Sequence, residues 1–151
     1  MNTRRPRSDS DEAYVVDLCD AILREPASRQ HRFDWLLGDP GRDGRRRTLP
    51  VDAYYTGHRL VIEYRERQHD EPVAHFDKPD VLTVSGVHHG IQRRIYDDRR
   101  ATEVPAHGLR LIVVRPGDLM ADKRGRLLRR REPDEAALRV LLLGEAHSDT
   151  T

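Results

Sequence analysis

Between Leu49 and His69 the chain alternates apolar and polar residues at a period of two. Val51-Asp52-Ala53-Tyr54-Tyr55 and Leu60-Val61-Ile62-Glu63-Tyr64 are rich in β-branched and aromatic residues and read as two strands. Thr56-Gly57 supplies the turn between them. Upstream the period changes. Val15, Leu18, Cys19 and Ile22 recur at helical spacing behind Ser10, a favourable N-cap, with Asp11 and Glu12 in the first turn. This predicts a helix from about Asp11 to Arg24, ended by Pro26.

The remaining elements follow from the same rules. Phe33, Trp35 and Leu37 alternate in His31–Leu37, which reads as a short strand or as an entry segment that plugs the core. Residues 38–47 read as a basic, turn-rich loop, and 69–90 read as irregular with one strand-like piece, Val81–Val84. Ile91–Glu103 reads as a helix with Ile91, Ile95, Tyr96 and Thr102 inward, stopped by Pro105 and Gly108. Leu109–Val114 is apolar but for Arg110, the pattern of a buried central strand. Residues 121–131 make a basic ribbon around Gly125. Pro133-Asp134 then opens a last helix with Ala137, Leu138, Leu141 and Leu142 on its apolar side. The order predicts an α/β fold with a small mixed sheet flanked by helices. Residues 10–143 are expected to form one domain between a disordered basic arm, 1–9, and a flexible tail, 144–151.

Composition narrows the classes. The 151 residues suffice for a single core, but 35% are charged and 5% aromatic, so that core is modest. A net charge of +1 gives no overall preference for nucleic acid. The distribution is more telling, with basic clusters at Arg4, Arg5 and Arg7, at Arg45 to Arg47, and from Lys123 to Arg131. The single cysteine, Cys19, excludes an intrachain disulfide and a cysteine-rich zinc site. No apolar run reaches the length of a membrane span and none resembles a signal peptide, so a cytoplasmic protein with no membrane partner is expected.

Candidate chemistry centres on the hairpin. With a two-residue turn, Asp52 lies opposite Val61 and Glu63 opposite Pro50, so the two acids are diagonal neighbours on one face. Such neighbours sit roughly 7–8 Å apart, within reach of one bridging cation. Mg²⁺ takes oxygen ligands and keeps waters beside a substrate phosphate. Two solvent-facing acids paired with arginines is the plainer alternative, although Asp and Glu are depleted in strands and both interrupt apolar runs here. Arg65 shares the face of Glu63; it is a permanent cation suited to phosphate charge, or an exposed strand-end charge. His69 is a candidate acid, base or ligand, or an exposed loop histidine. His88 and His89 are adjacent and are assigned no metal. Arg93, Arg94, Arg99 and Arg100 interleave with Asp97 and Asp98, as intrahelical ion pairs or as a phosphate-facing row. Glu12 is either a third carboxylate or an ordinary first-turn acid.

The block LVIEYRERQHDEPVAHFDK, preceded by LPVDAYY and followed by RRIYDDRRATEVPAHGLRLIVV, resembles the PD-(D/E)xK nuclease superfamily. Within it the block is most similar to the branch of very-short-patch-repair-like endonucleases. The likeness covers Leu49 to Val114, and the Gln-His element after the Glu is its most specific part. It implies a restriction-endonuclease-like core and a Mg²⁺- or Mn²⁺-dependent endonuclease hydrolysing DNA phosphodiester bonds. Asp52 and Glu63 would bind the metal, and Arg65 would occupy the lysine position. Gln68 and His69 would match the pair that closes the site. Asp97 and Arg100 would match the following helix, and Glu12 the first-helix acid of many members. Arg93, Arg94, Arg100, Arg124 and Arg126 would contact the DNA backbone, and a homodimer would serve to cut both strands.

The chain departs from the family pattern at Arg65-Glu66, where relatives carry Asp-Gly after the Glu and its apolar neighbour, and it lacks the lysine. A catalytically degenerate DNA-binding or adaptor domain on the same fold is therefore the alternative. A toxin-like or genome-defence component working with a partner chain is a third reading. The zinc ligands of the repair enzymes are absent as well, so a mismatch-repair role is not implied.

Overall fold

Ser10 caps the first helix, α1 (Asp11–Leu23), its hydroxyl accepting from the amide of Ala13 at 3.0 Å. Arg24 closes the helix in a left-handed conformation, φ 54°. In the computed structural model, residues 9–66 and 81–144 are described, with side chains in the second stretch from residue 88 onward. After α1 come β1 (Ser28–Pro40), β2 (Arg46–Tyr55), β3 (Leu60–Tyr64), α2 (Val81–Ala106), β4 (Arg110–Val114) and α3 (Arg131–Leu143). The fold is α/β with a small mixed sheet. Its four strands run in the order β1-β2-β3-β4, with β3 antiparallel to β2 and parallel to β4. A parallel pair needs a long connection, and α2 lies in that stretch of chain.

The described chain divides into two compact units. The first holds α1, β3, β4 and α3 with residues 28–31 of β1 and 51–55 of β2. The second holds the rest of β1 and β2 together with α2.

The core of the first unit follows the predicted periods. Ala53, Tyr55, Leu60, Ile62 and Tyr64 share one sheet face with Val114, and they pack with Val15, Leu18, Cys19 and Ile22 of α1 and Leu138 and Leu142 of α3. Two polar ties sit inside this core. Tyr55, fully buried, donates to Asp20 at 2.6 Å. Asp134, also fully buried, accepts from the Tyr14 hydroxyl at 2.5 Å and the Met120 amide at 3.1 Å. Burial, then the neighbouring carboxylate, pushes both phenols above the usual tyrosine range. Burial raises the Cys19 thiol to about 12, so it is a packing residue and not a nucleophile.

In the second unit, Leu36, Leu49 and Val104 are buried. Tyr96 accepts from the amide of Asp39 at 3.0 Å, and Arg99 donates to the Leu37 carbonyl and to Asp39, each at 2.9 Å.

Five expectations are corrected. The turn after Tyr55 has four residues, Thr56–His58 in a 3₁₀ turn and then Arg59 at φ 49°, in place of two. In β1, Leu36 and Gly38 are buried, while Phe33, Trp35 and Leu37 are half-buried. Trp35 stacks on Phe33 at 4.5 Å and on His107 at 3.8 Å, so the aromatics bury one another. Val81–Val84 is helical, the start of the long α2. Helix propensities differ by only about 0.7 kcal/mol per residue among ordinary residues, so β-branched residues do not forbid a helix. Ile91 and Ile95, expected inward, are 44% and 42% exposed, whereas Tyr96 of the same expected face is half-buried. Leu109–Val114 contributes a strand at the end of the sheet order, half-buried up to Val114, and not a central one.

Candidate active site

The longer turn decides the geometry of the two strand acids. Ala53 pairs with Ile62, Tyr54 with Val61 and Tyr55 with Leu60. One step further along this register, Asp52 faces Glu63 directly, where a two-residue turn would have made them diagonal. Lengthening the turn by two residues preserves the side-chain parity, so both acids remain on the face opposite Ala53, Leu60 and Ile62.

Here the ordinary ladder gives way to side chains. The backbone amide of Asp52 donates to the Glu63 carboxylate at 2.6 Å, and the amide of Tyr64 donates to the Asp52 carboxylate at 2.7 Å. Each acid thus occupies a place where a strand carbonyl would otherwise accept. Glu63 is 5% exposed, so its carboxyl group is satisfied by hydrogen bonding in place of water.

A third strand and the first helix meet the pair. Gln30 of β1 stands at φ 52°, a left-handed conformation unusual for a residue inside a strand. Its amide nitrogen donates to Glu12 of α1 at 2.9 Å and lies 3.5 Å from Oδ1 of Asp52. Glu12 is thus linked to Asp52 through the Gln30 side chain. Gln30 was not legible as a member, since a lone glutamine at a strand start carries no spacing signal.

The other expected residues divide. The Arg65 amide donates to the Val114 carbonyl at 2.9 Å, carrying β3–β4 hydrogen bonding one residue past Tyr64. Arg65 is half-buried and two residues from Glu63 along extended backbone, hence on its face. Gln68 and His69 lie outside the described residues. Arg100 donates to the Pro50 carbonyl at 3.1 Å and pairs with Asp97 at 3.2 Å, with both side chains mostly covered. It ties α2 to β2 within the second unit. Arg93 and Arg94 are exposed on α2, and His88 and His89 are exposed near its start.

The basic ribbon forms a small hairpin bridged at Ala121 and Leu127, with Gly125 at φ 83°. Asp122 accepts from the amides of Arg126 and Arg124, which lower its pKa, and this leaves both arginine side chains exposed. Arg129 is drawn inward to Asp11 and Asp9, at 3.1 and 3.2 Å.

Among the described residues, no group of three or more His, Cys, Asp or Glu side chains is placed to hold a metal ion. The pair Asp52 and Glu63 does fit a hard divalent cation that takes one or two carboxylates and keeps its waters. Both are oxygen donors on one face, and backbone amides fix one oxygen of each. Among the described residues no helix is long and apolar enough to cross a membrane. No protein-family model, no curated protein and no solved structure matches the chain.

Proposed function

We propose that this chain is a metal-dependent endonuclease that hydrolyses DNA phosphodiester bonds on a restriction-endonuclease-like core. The observation that carries the reading is the cross-strand anchoring of Asp52 and Glu63, the Glu63 carboxylate held by the Asp52 amide and the Asp52 carboxylate by the Tyr64 amide. Asp52 and Glu63 would hold Mg²⁺ or Mn²⁺, which when bound supplies a Lewis acid for the phosphate and a more acidic water. Glu12 and Gln30 set the position of Asp52 from the adjacent helix and strand. Arg65 contributes a permanent positive charge on the Glu63 face for the charge that develops on phosphate. Gln68 or His69 positions the water or the leaving group, and the exposed Arg93, Arg94, Arg124 and Arg126 contact the backbone of DNA.

The test is cleavage of plasmid and oligonucleotide DNA with Mg²⁺ or Mn²⁺, comparing the native chain with Asp52→Ala/Glu63→Ala. Cleavage that survives in the double variant would overturn the site. A second reading is a catalytically degenerate DNA-binding domain of the same fold, favoured by Arg65 standing where a lysine is expected. It is distinguished by salt-dependent DNA binding without cleavage under either metal, and by no calorimetric signal for Mg²⁺.

A further inference from the structure

The arginines at 45–47, a cluster that the proposed active site leaves without a role, sit where the β1–β2 turn and α2 form a cleft. The cleft encloses about 540 Å³ and lies wholly within the second unit; Arg42, Arg45 and Arg47 line it together with Asp39, Asp43 and Tyr96.

Strand alternation sorts the three neighbouring arginines. Arg46 turns into the hairpin, donating to the Gly38 carbonyl at 2.8 Å. Arg45 and Arg47, two residues apart, share the other face and line the cleft. Arg42, Arg45 and Arg47 are exposed and make no ion pair among the described residues.

Of the two acids of the cleft one is in an ion pair and the other holds a backbone amide. Asp39 pairs with Arg99 at 2.9 Å, and Asp43 accepts from the Arg45 amide at 3.0 Å. Its wall is fixed as well: Tyr96 accepts from the Asp39 amide, and the Arg99 guanidinium lies 5.4 Å over the Tyr96 ring. The result is a concave surface on which three exposed guanidiniums outnumber the one lining carboxylate, Asp43, that no guanidinium pairs with among the described residues; guanidinium donors are planar and match phosphate oxygens.

We propose that this cleft is a phosphate-binding site that takes the phosphodiester groups of a nucleic-acid strand. Its lining belongs to the second unit and Asp52 and Glu63 to the first, and it shares no residue with them, so the proposal does not depend on the endonuclease reading. Arg45 and Arg47 each contact a phosphate, and Arg42 closes the turn side.

The test is fluorescence-anisotropy binding of a labelled single-stranded oligonucleotide in EDTA, where no metal-dependent cleavage can contribute, with inorganic pyrophosphate as a competitor. Arg45→Gln/Arg47→Gln should weaken binding at least tenfold. It should also flatten the dependence of log affinity on log salt by about 1.4, at about 0.7 per lost phosphate contact. Arg24→Gln/Arg59→Gln, which removes two exposed arginines of the first unit, should leave both quantities near native. Pyrophosphate that competes only at concentrations far above the oligonucleotide supports a strand as the ligand. Competition at equal concentration supports the same site with a free phosphate compound as its occupant and overturns the strand. Equal losses in the two double variants, or no binding by the native chain, would overturn the site altogether.

Discussion

The amide of Asp52 donates to the carboxylate of Glu63 at 2.6 Å, so each strand acid is positioned by the other's strand and not only by its own. Removing the Glu63 carboxylate therefore has a structural consequence beyond any loss of chemistry. Glu63→Ala leaves the Asp52 amide without its acceptor and should cost about 1–3 kcal/mol of stability. Glu63→Gln keeps an acceptor oxygen and should remain close to native in urea unfolding while abolishing metal-dependent cleavage. Equal destabilisation by the two variants would show that the charge, and not the acceptor, holds the strands.

Gln30 bridges the carboxylates of Glu12 and Asp52 through its amide nitrogen. Replacing it with Glu places a further carboxylate beside Glu12 and Asp52. Mutual repulsion raises the folded-state pKa of this group above its unfolded value. The variant should then be destabilised at neutral pH and should recover stability as the pH falls through the folded pKa. Urea midpoints measured from pH 7 down to 4, native against Gln30→Glu, would check this; a constant difference across the range would refute the clustering.

Glu25 shapes the acid limb of stability at the β2–β3 turn. Its pKa is lowered, chiefly by the Gly57 amide at 3.1 Å and then by His58 at 3.0 Å. A carboxyl whose folded pKa lies below its unfolded one contributes above the unfolded value, and the contribution is lost as pH falls through the folded value. Native protein should therefore lose part of its stability as pH drops from the ordinary value of 4.5. In Glu25→Gln that part of the pH dependence should be missing, as thermal melts at stepped pH would show.

Asp134 joins α1, α3 and the segment at Met120 through one buried carboxylate. Tyr14→Phe removes one donor and leaves the Met120 amide in place, at a cost of about 1–2 kcal/mol. Asp134→Ala strands both donors and should cost more, on the order of 3 kcal/mol. The order of the two denaturation midpoints is the measurement, and a reversed order would contradict the shared-acceptor geometry.

Ile91 and Ile95 offer the opposite case. Both are largely exposed on α2, so Ile91→Gln and Ile95→Gln should each change stability by no more than about 0.5 kcal/mol. A loss near the cost of a core truncation would mean that this face is covered.

The sequence by itself determined what depends on neighbours close along the chain. Ser10, Asp11 and Glu12 specified the start of α1 through orphan amides that only a cap can satisfy. The period of two placed Asp52 and Glu63 on one face, and a turn longer by two residues could not undo that parity. Tertiary structure decided the rest. The register across the turn depended on Arg59 adopting a positive φ, which local propensity does not announce. Val81–Val84 became helical and Ile91 and Ile95 faced outward, because propensity differences are small beside the packing of the whole chain. Gln30 entered the candidate site through a backbone conformation and contacts to residues 18 and 22 positions away, distances over which sequence spacing carries no geometric information.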